Sequence, residues 1–282
     1  MELSAAIRER VKNLPNVEFQ TLGTISVSGV NLIAADFGLN IQSVEIEALK
    51  QRIVPERYLR NFPSISIEDQ IILLQSKVCV VGLGGLGGLV IETLARHGVG
   101  ALTVIDQDRF DDSNLNRQLL SDGNVLKMKK TDVAQKRVES INPSVQVQTV
   151  NVRLSKDNAN ALIKDHHVVI DCLDSVSSRM ELEAAVKLLR IPLVSGAISG
   201  FSGHITTVFP DDKGLKQVFS SFQADNSQKE EPPPSCLPQA VYTIAALEAS
   251  EAIKIILKKG TNLRNRILLI DLYDNVFELF DL

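Results

Sequence analysis

Between Lys77 and His97 the chain reads KVCVVGLGGLGGLVIETLARH. An apolar, β-branched run at Val78–Val81 passes through five glycines, Gly82, Gly84, Gly85, Gly87 and Gly88, straight into a helical pattern over Gly85–His97. Glycines at such a turn let the chain reverse tightly and let backbone come close to a phosphate. The helix beyond them offers unpaired N–H donors and a partial positive charge at its N-terminus. A second strand, Ala101–Ile105, ends at Asp106, whose carboxylate is placed to accept hydrogen bonds from a ribose diol. This pair of features fits NAD, FAD or ATP equally well, so the choice of ligand rests on residues further along the chain.

From Lys77 onward strands alternate with helices. Strands are predicted at Val78–Val81, Ala101–Ile105, Val145–Val150, Val168–Cys172, Pro192–Ser195 and Gly203–Phe209. Helices are predicted at Gly85–His97, Lys129–Ile141, Asp157–Lys164, Ser177–Leu189 and Leu237–Leu257. Arg266–Leu272 and Val276–Leu282 read as a hairpin around Tyr273-Asp274-Asn275. The alternation predicts an α/β protein with a doubly wound, mostly parallel, Rossmann-like sheet and helices on both faces. A polar stretch, about 211–236, ends in Pro232-Pro233-Pro234 and reads as a mobile loop.

Residues 1–55 show a different pattern and read as a small N-terminal α/β or helical extension of unassigned role. A short helix is expected in Leu3–Leu14, strand-like alternation over Val17–Leu32, and helix, turn, helix over Ile33–Ile53. Residues 56–282 form the expected nucleotide-binding domain. Ser66–Gln75 is a helix with Ser66 as its N-cap and Asp69 three residues on, where Glu is more usual.

The formal net charge is −4 over 282 residues, with no basic block or tail. That balance repels phosphate backbones and argues against nucleic acid as a partner. The helix pair at Ile33–Ile53 lacks an arginine-rich second helix, which argues the same way. No apolar run reaches the about 18 residues that span a bilayer, and MELSAAIRERVKNLP is too charged for a signal segment. A cytoplasmic protein without a membrane partner is expected. Three separated cysteines, Cys79, Cys172 and Cys236, suit a reducing compartment, and no C-x-x-C pair is present. Cys79 and Cys172 read as packing residues in buried strands. His97, at a helix end where a cation suits the dipole, and His166, His167 and His204 form no metal pattern.

After Asp106 comes Ser113-Asn114-Leu115-Asn116-Arg117-Gln118. Thirteen residues past Arg117 stands Lys130, heading KTDVAQKRV. Asp171 and Asp174, three residues apart, stand at the C-terminus of the strand that starts at Val168. In open α/β sheets, ligands bind at that end of the strands. Cations at 117 and 130 have no task in an ordinary dehydrogenase, but they suit chemistry on a triphosphate.

This constellation resembles the ThiF/MoeB/HesA family of ubiquitin-activating-like adenylating enzymes. The glycine loop, the acid ending the next strand, N-L-x-R-Q, the helix-heading lysine and D-x-x-D occur in the family's order. Glu56-Arg57-Tyr58-Leu59-Arg60 and Glu248-Ala249-Ser250-Glu251-Ala252-Ile253-Lys254 add to the likeness, which covers Glu56 to Leu282. The resemblance implies an adenylyltransferase. The C-terminal carboxylate of a small ubiquitin-like carrier ending in Gly-Gly attacks the α-phosphate of ATP and pyrophosphate leaves, for sulfur transfer in molybdopterin or thiamine synthesis. It implies that Gly82, Gly84, Gly85 and Gly87 face the phosphates, Asp106 holds the ribose, and Asn114 and Arg117 contact phosphate. It further implies that Lys130 stabilises the attacked phosphorus and that Asp174 binds Mg²⁺ with Asp171 nearby. Arg60 resembles a finger reaching into a partner subunit's site, which implies a homodimer.

The chain departs from the pattern in two places. The cysteine pairs that hold zinc in many members are missing, so no zinc is expected. Cys236, in Pro234-Ser235-Cys236-Leu237-Pro238, lies closer to Glu251 than the family's catalytic cysteine, and whether it forms a thioester or persulfide stays open. A dehydratase-like adenylating enzyme of tRNA modification is the nearest alternative. An NAD-dependent oxidoreductase or a nucleotide sensor would leave Arg117, Lys130 and Asp174 without a task.

Overall fold

The structure, a computed structural model, is described for residues 2–13, 23–223 and 235–282. The N-terminal stretch holds α1 (Leu3–Glu9), β1 (Lys12–Asn13), β2 (Gly23–Ile25), α2 (Val27–Phe37), α3 (Ile41–Lys50) and β3 (Ile53–Pro55). The three strands form a small sheet in the order β1-β2-β3. The strand expected over Val17–Leu32 is largely replaced: only Gly23–Ile25 is strand, a helix begins at Val27, and residues 17–22 lie outside the described residues. The cause is local. The Ser26 hydroxyl accepts from the Gly29 amide at 3.1 Å, which caps a helix. Val30, Ile33 and Ala34 then fall on one face at helical spacing and are buried against Ile7, Ile25 and Val44. Asn40 caps α3 in the same way, accepting from the Ser43 amide at 2.7 Å.

This unit has its own apolar cluster and a second one where it meets the rest of the chain, built from Leu49, Val54, Tyr58, Ile67 and Leu74. A buried polar seam runs beside the joint. The Tyr58 hydroxyl donates to Glu45 at 2.9 Å, accepts from the Asn142 amide at 2.9 Å, and lies 3.1 Å from the Ser144 hydroxyl. Arg57 pairs with Glu45 at 3.0 Å. Burial pushes the Glu45 carboxyl above its usual range, with Arg57 opposing. The 3-10 turn Glu56–Asn61, which carries Arg60, is therefore clamped from both sides.

Beyond the turn comes α4 (Ile67–Leu74), whose N-terminus is the expected capping box. Ser66 Oγ accepts from the Asp69 amide at 3.1 Å and Asp69 accepts from the Ser66 amide at 3.0 Å. The large sheet comes next: β4 (Lys77–Val81), α5 (Gly85–His97), β5 (Ala101–Ile105), α6 (Lys130–Ile141), β6 (Gln146–Val150), α7 (Ala159–Ile163), β7 (Val168–Asp171), α8 (Val176–Leu188), β8 (Leu193–Ser199), β9 (Ser202–Val208), α9 (Leu215–Gln223), α10 (Pro238–Leu257), β10 (Arg266–Asp271) and β11 (Val276–Asp281).

The strand order is β11-β10-β9-β8-β7-β4-β5-β6. From β6 to β8 neighbours run parallel, and from β8 to β11 antiparallel. Alternate residues of β4 serve opposite faces: Val78 and Val80 join a core with α5, α6 and α10, while Cys79 and Val81 join one with α7, α8 and α9. The chain leaves β4 towards β5 and β6, then returns to place β7 on the other side of β4. That reversal is the switch point at which doubly wound sheets open a ligand crevice.

The stretch expected as a loop over 211–236 contains α9, and its triple proline lies outside the described residues. The helix forms because Leu215, Val218 and Phe219 sit three and four residues apart and pack on the α8 side of the sheet. Among the described residues no helix is long and apolar enough to cross a membrane.

Candidate functional site

A cleft of about 570 Å³ opens at the C-terminal ends of β4, β5 and β7. Its floor is the glycine loop. Gly82 has φ +95°, and a Cβ there would lie 2.5 Å from the Cys172 carbonyl oxygen, so only glycine fits. Its amide donates to the Ile105 carbonyl at 2.8 Å. Gly84 caps α5 without any side chain, and the nearest atom to a Cβ there would be Gln118 Nε2 at 3.8 Å. The N-terminus of α5 borders the cleft through Gly84, Gly85 and Leu86, and a helix N-terminus favours a bound anion.

Asp106, just past β5, has a structural task as well as a place in the cleft. One carboxylate oxygen accepts from the Leu83 amide at 2.6 Å and the other from the Asp108 amide at 2.7 Å. It therefore ties the glycine loop to the next strand, with a lone pair left on each oxygen.

Two of the four basic side chains that line the cleft come from the segment after β5 and from α6. Lys130 heads α6, is only 6 % exposed, and reaches Asp108 at 3.3 Å. Arg117 lines the cleft and donates to the Ser113 carbonyl and to Asn116, both at 2.8 Å. Asn114 is not among the lining residues: its Oδ1 accepts from the Asp111 amide at 3.1 Å and closes the turn that presents Arg117.

The two acids at the C-terminal end of β7 differ sharply. Asp174 is exposed, lines the cleft, and has no side-chain partner among the described residues. Asp171 is fully buried. It accepts from Arg179 at 2.8 Å, from the Ser195 hydroxyl at 2.7 Å and from the Leu173 amide at 3.0 Å. Arg179 also donates to the Gly196 carbonyl at 2.8 Å and to the Leu173 carbonyl. This Asp171–Arg179 pair braces the loop that carries Asp174. Sequence reasoning missed Arg179, because an arginine in the first turns of an amphipathic helix looks like a solvated one until its partner strand is placed.

Glu248 was also not expected at the site. It is fully buried on α10, and burial together with the Asp171 charge raises its carboxyl well above the usual range. Its Oε2 lies 3.8 Å from Cys172 Sγ. Cys172 packs against the core as expected, but β7 ends at Asp171, so Cys172 stands just past the strand and also lines the cleft. Burial, then Glu248 and Asp171, pushes its thiol up, which makes a thiolate nucleophile unfavourable there. Cys79 stays in the core. Cys236 stands at the cleft rim, where its carbonyl accepts from Asn116 at 3.1 Å.

Arg60 is exposed on the 3-10 turn, has no partner among the described residues, and does not line this chain's own cleft. His97 does not serve as the helix-end cation: burial lowers its pKa, so it is neutral at pH 7. His204 packs its ring 5.9 Å from that of Phe219, a cleft-lining residue, and burial lowers its pKa to about 4.

A doubly wound sheet with a glycine-turned helix N-terminus, two cations and an open carboxylate at its switch point is a nucleotide-binding α/β fold. Residues 56–282 match the ThiF family, and the chain belongs to that family. The SAMP-activating enzyme E1 of Haloferax volcanii is 34 % identical over 234 residues, covering 79 % of this chain and 83 % of that one. The molybdopterin-synthase adenylyltransferase of Haemophilus influenzae is 34 % identical over 219 residues, covering 76 % and 89 %. Among solved structures, Escherichia coli MccB with ATP superposes with a TM-score of 0.70 at 20 % identity over 80 % of this chain and 70 % of that one. PaaA does so at 0.68 and 23 % over 80 % and 72 %. At those identities the solved structures show a shared fold.

Proposed function

We infer that this chain is an adenylyltransferase that uses ATP to activate the C-terminal carboxylate of a small ubiquitin-like sulfur carrier. The observation that carries this reading is the convergence of Arg117, Lys130 and the unpartnered Asp174 on the mouth of the glycine loop. Relatives about 34 % identical are named as molybdopterin-synthase and sulfur carrier protein adenylyltransferases, which supports a carrier-protein substrate.

The geometry suits each part of the reaction. The triphosphate lies against the amides that open α5, and Asp106 holds the ribose. The carrier carboxylate attacks the α-phosphorus, the bond to the bridging oxygen breaks, and pyrophosphate leaves with that oxygen and its electron pair. Negative charge gathers on the non-bridging oxygens in the transition state. A buried lysine aimed there stabilises it more than the same charge does in water. Lys130, buried and held by Asp108, is the candidate, and Arg117 is the candidate for the departing phosphates. Asp171 and Arg179 do not touch substrate in this scheme; they position Asp174.

Asp174 fits a magnesium ion. Mg²⁺ typically takes one or two carboxylates together with substrate phosphates and water, and Asp174 offers an uncommitted oxygen ligand at the phosphate end. When bound, the ion would neutralise charge on the triphosphate. Asp171 fits that role poorly, because its oxygens are held by Arg179, Ser195 and the Leu173 amide.

Arg60 is proposed to reach the cleft of a second copy, which makes the working form a homodimer. Its exposure on a clamped turn, away from its own cleft, supports that reading. A cytoplasmic location and a place in molybdopterin or thiamine synthesis belong to the same proposal. The experiment for the whole is ATP–pyrophosphate exchange with candidate carriers ending in Gly-Gly; exchange that no carrier stimulates contradicts a carrier substrate.

A further inference from the structure

The cleft is lined by four cations, Arg117, Lys130, Arg153 and Arg179. Three are held by neighbours: Arg117 by its own turn, Lys130 by Asp108, and Arg179 by Asp171. Arg153 is exposed, and its guanidinium has no partner among the described residues.

The position of Arg153 is set by strand order. Phosphates sit at the end of β4, and the ribose acid Asp106 at the end of β5. Arg153 lies three residues past the end of β6, the next strand out. Strands lie about 4.8 Å apart, so this segment stands roughly 10 Å from the glycine loop, which is the reach of a nucleoside. A nucleotide whose phosphates and ribose occupy β4 and β5 must carry its base towards β6.

The turn holding Arg153 is fixed on both sides. Asn151 donates to the Asp106 carbonyl at 2.9 Å, which ties the segment to the ribose acid's own backbone. Asn158 donates to the Arg153 carbonyl at 2.9 Å and accepts from the Ser155 amide at 2.9 Å. Leu154 next to it is buried and lines the same end of the cleft. A rigid turn thus offers an apolar wall and a planar cation with nothing to hold.

The geometry points to Arg153 as a base-binding residue: its guanidinium stacks on the face of the purine of the bound nucleotide. A guanidinium has no acceptor atoms and stacks well on aromatic faces, whereas the phosphates already have Arg117, Lys130 and the α5 amides. This inference rests on the proposed nucleotide cleft and names how that cleft holds the base.

The test is calorimetric titration of the full chain and of Arg153→Ala and Arg153→Lys with Mg-ATP, and separately with inorganic tripolyphosphate, which has no base. Thermal melting checks that the variants fold; an exposed, unpaired arginine should leave it unchanged. Arg153→Ala is expected to weaken ATP about 3- to 30-fold and to leave tripolyphosphate affinity unaltered, with Arg153→Lys in between. An equal loss for both ligands would make Arg153 a phosphate residue and overturn the inference. Unchanged ATP affinity in a folded variant would overturn it as well. If the unaltered protein binds tripolyphosphate and ATP equally, no base is held and the inference fails while the phosphate site stands. If it binds neither, the nucleotide cleft itself is refuted.

Discussion

Replacing Gly82 with alanine probes the loop on which the nucleotide cleft depends. Two costs can be read at that position. With φ +95° the backbone lies where L side chains are strained, by about 1–3 kcal/mol. The new Cβ would also stand 2.5 Å from the Cys172 carbonyl oxygen and 2.9 Å from its carbon. Both are backbone atoms past the end of β7, so neither can swing aside as a side chain would. Overpacking of this kind adds about 1–3 kcal/mol. At about 2–4 °C per kcal/mol for a domain of this size, Tm should fall by roughly 5–20 °C. Relaxation has to pull the Gly82 amide from Ile105 or move Leu83 off Asp106, which shifts the glycine loop together with Asp106. Misplacement on the order of 1 Å can reduce activity about 100-fold, so exchange activity should fall much further than Tm alone explains. The assay pairs thermal melting with ATP–pyrophosphate exchange well below the variant's Tm. Gly123→Ala is the control, since a Cβ there meets nothing within 4 Å. A Gly82→Ala protein with unchanged Tm and full exchange would refute the loop geometry and the reasoning built on it.

Two further outcomes are expected from other parts of the molecule. Glu248 is buried beside Asp171, so its carboxyl is raised above 4.5 in the fold. The unfolded chain releases this proton at lower pH than the native state does, so its contribution to stability declines as pH rises from about 4.5 towards the native value. Glu248→Gln should therefore gain Tm relative to the parent as pH increases from 5 to 8; a constant difference across that range would contradict a buried, proton-holding Glu248. For the subunit arrangement, Arg60→Ala mixed with Asp174→Asn should regain part of the exchange activity that each lacks alone, because one site of a mixed dimer then holds both groups. No recovery, with both variants folded and mixed dimers formed, would place Arg60 outside the site.

The strand–turn–helix of the glycine loop and the helix start at Ser66 could be read in the sequence because their signals are local. Five glycines between a β-branched run and a helical stripe have few other uses, and Ser66 with Asp69 marks a helix start that hydrogen bonds then complete. The difficult positions depend on partners far away in the chain. Asp171 and Asp174 look alike in D-x-x-D, yet only the fold brings Arg179 and Ser195 to the first and leaves the second open. Glu248 carries no sequence sign of burial, because its acid neighbour lies 77 residues earlier. The helix α9 was hidden in a polar stretch, as its apolar face has meaning only once the sheet is there to cover it. Around Val27 the alternation over Val17–Leu32 suggested strand, and the Ser26 cap and the buried face of α2 decided otherwise.

Carrier-dependent adenylation is read out by radiolabelled pyrophosphate exchange into ATP with Mg²⁺, with and without a panel of small ubiquitin-like proteins ending in Gly-Gly. Exchange should appear only with a cognate carrier, be lost when its terminal glycine is removed, and be abolished by Lys130→Ala in a folded protein. Exchange without any carrier, or undiminished exchange in Lys130→Ala, would contradict it.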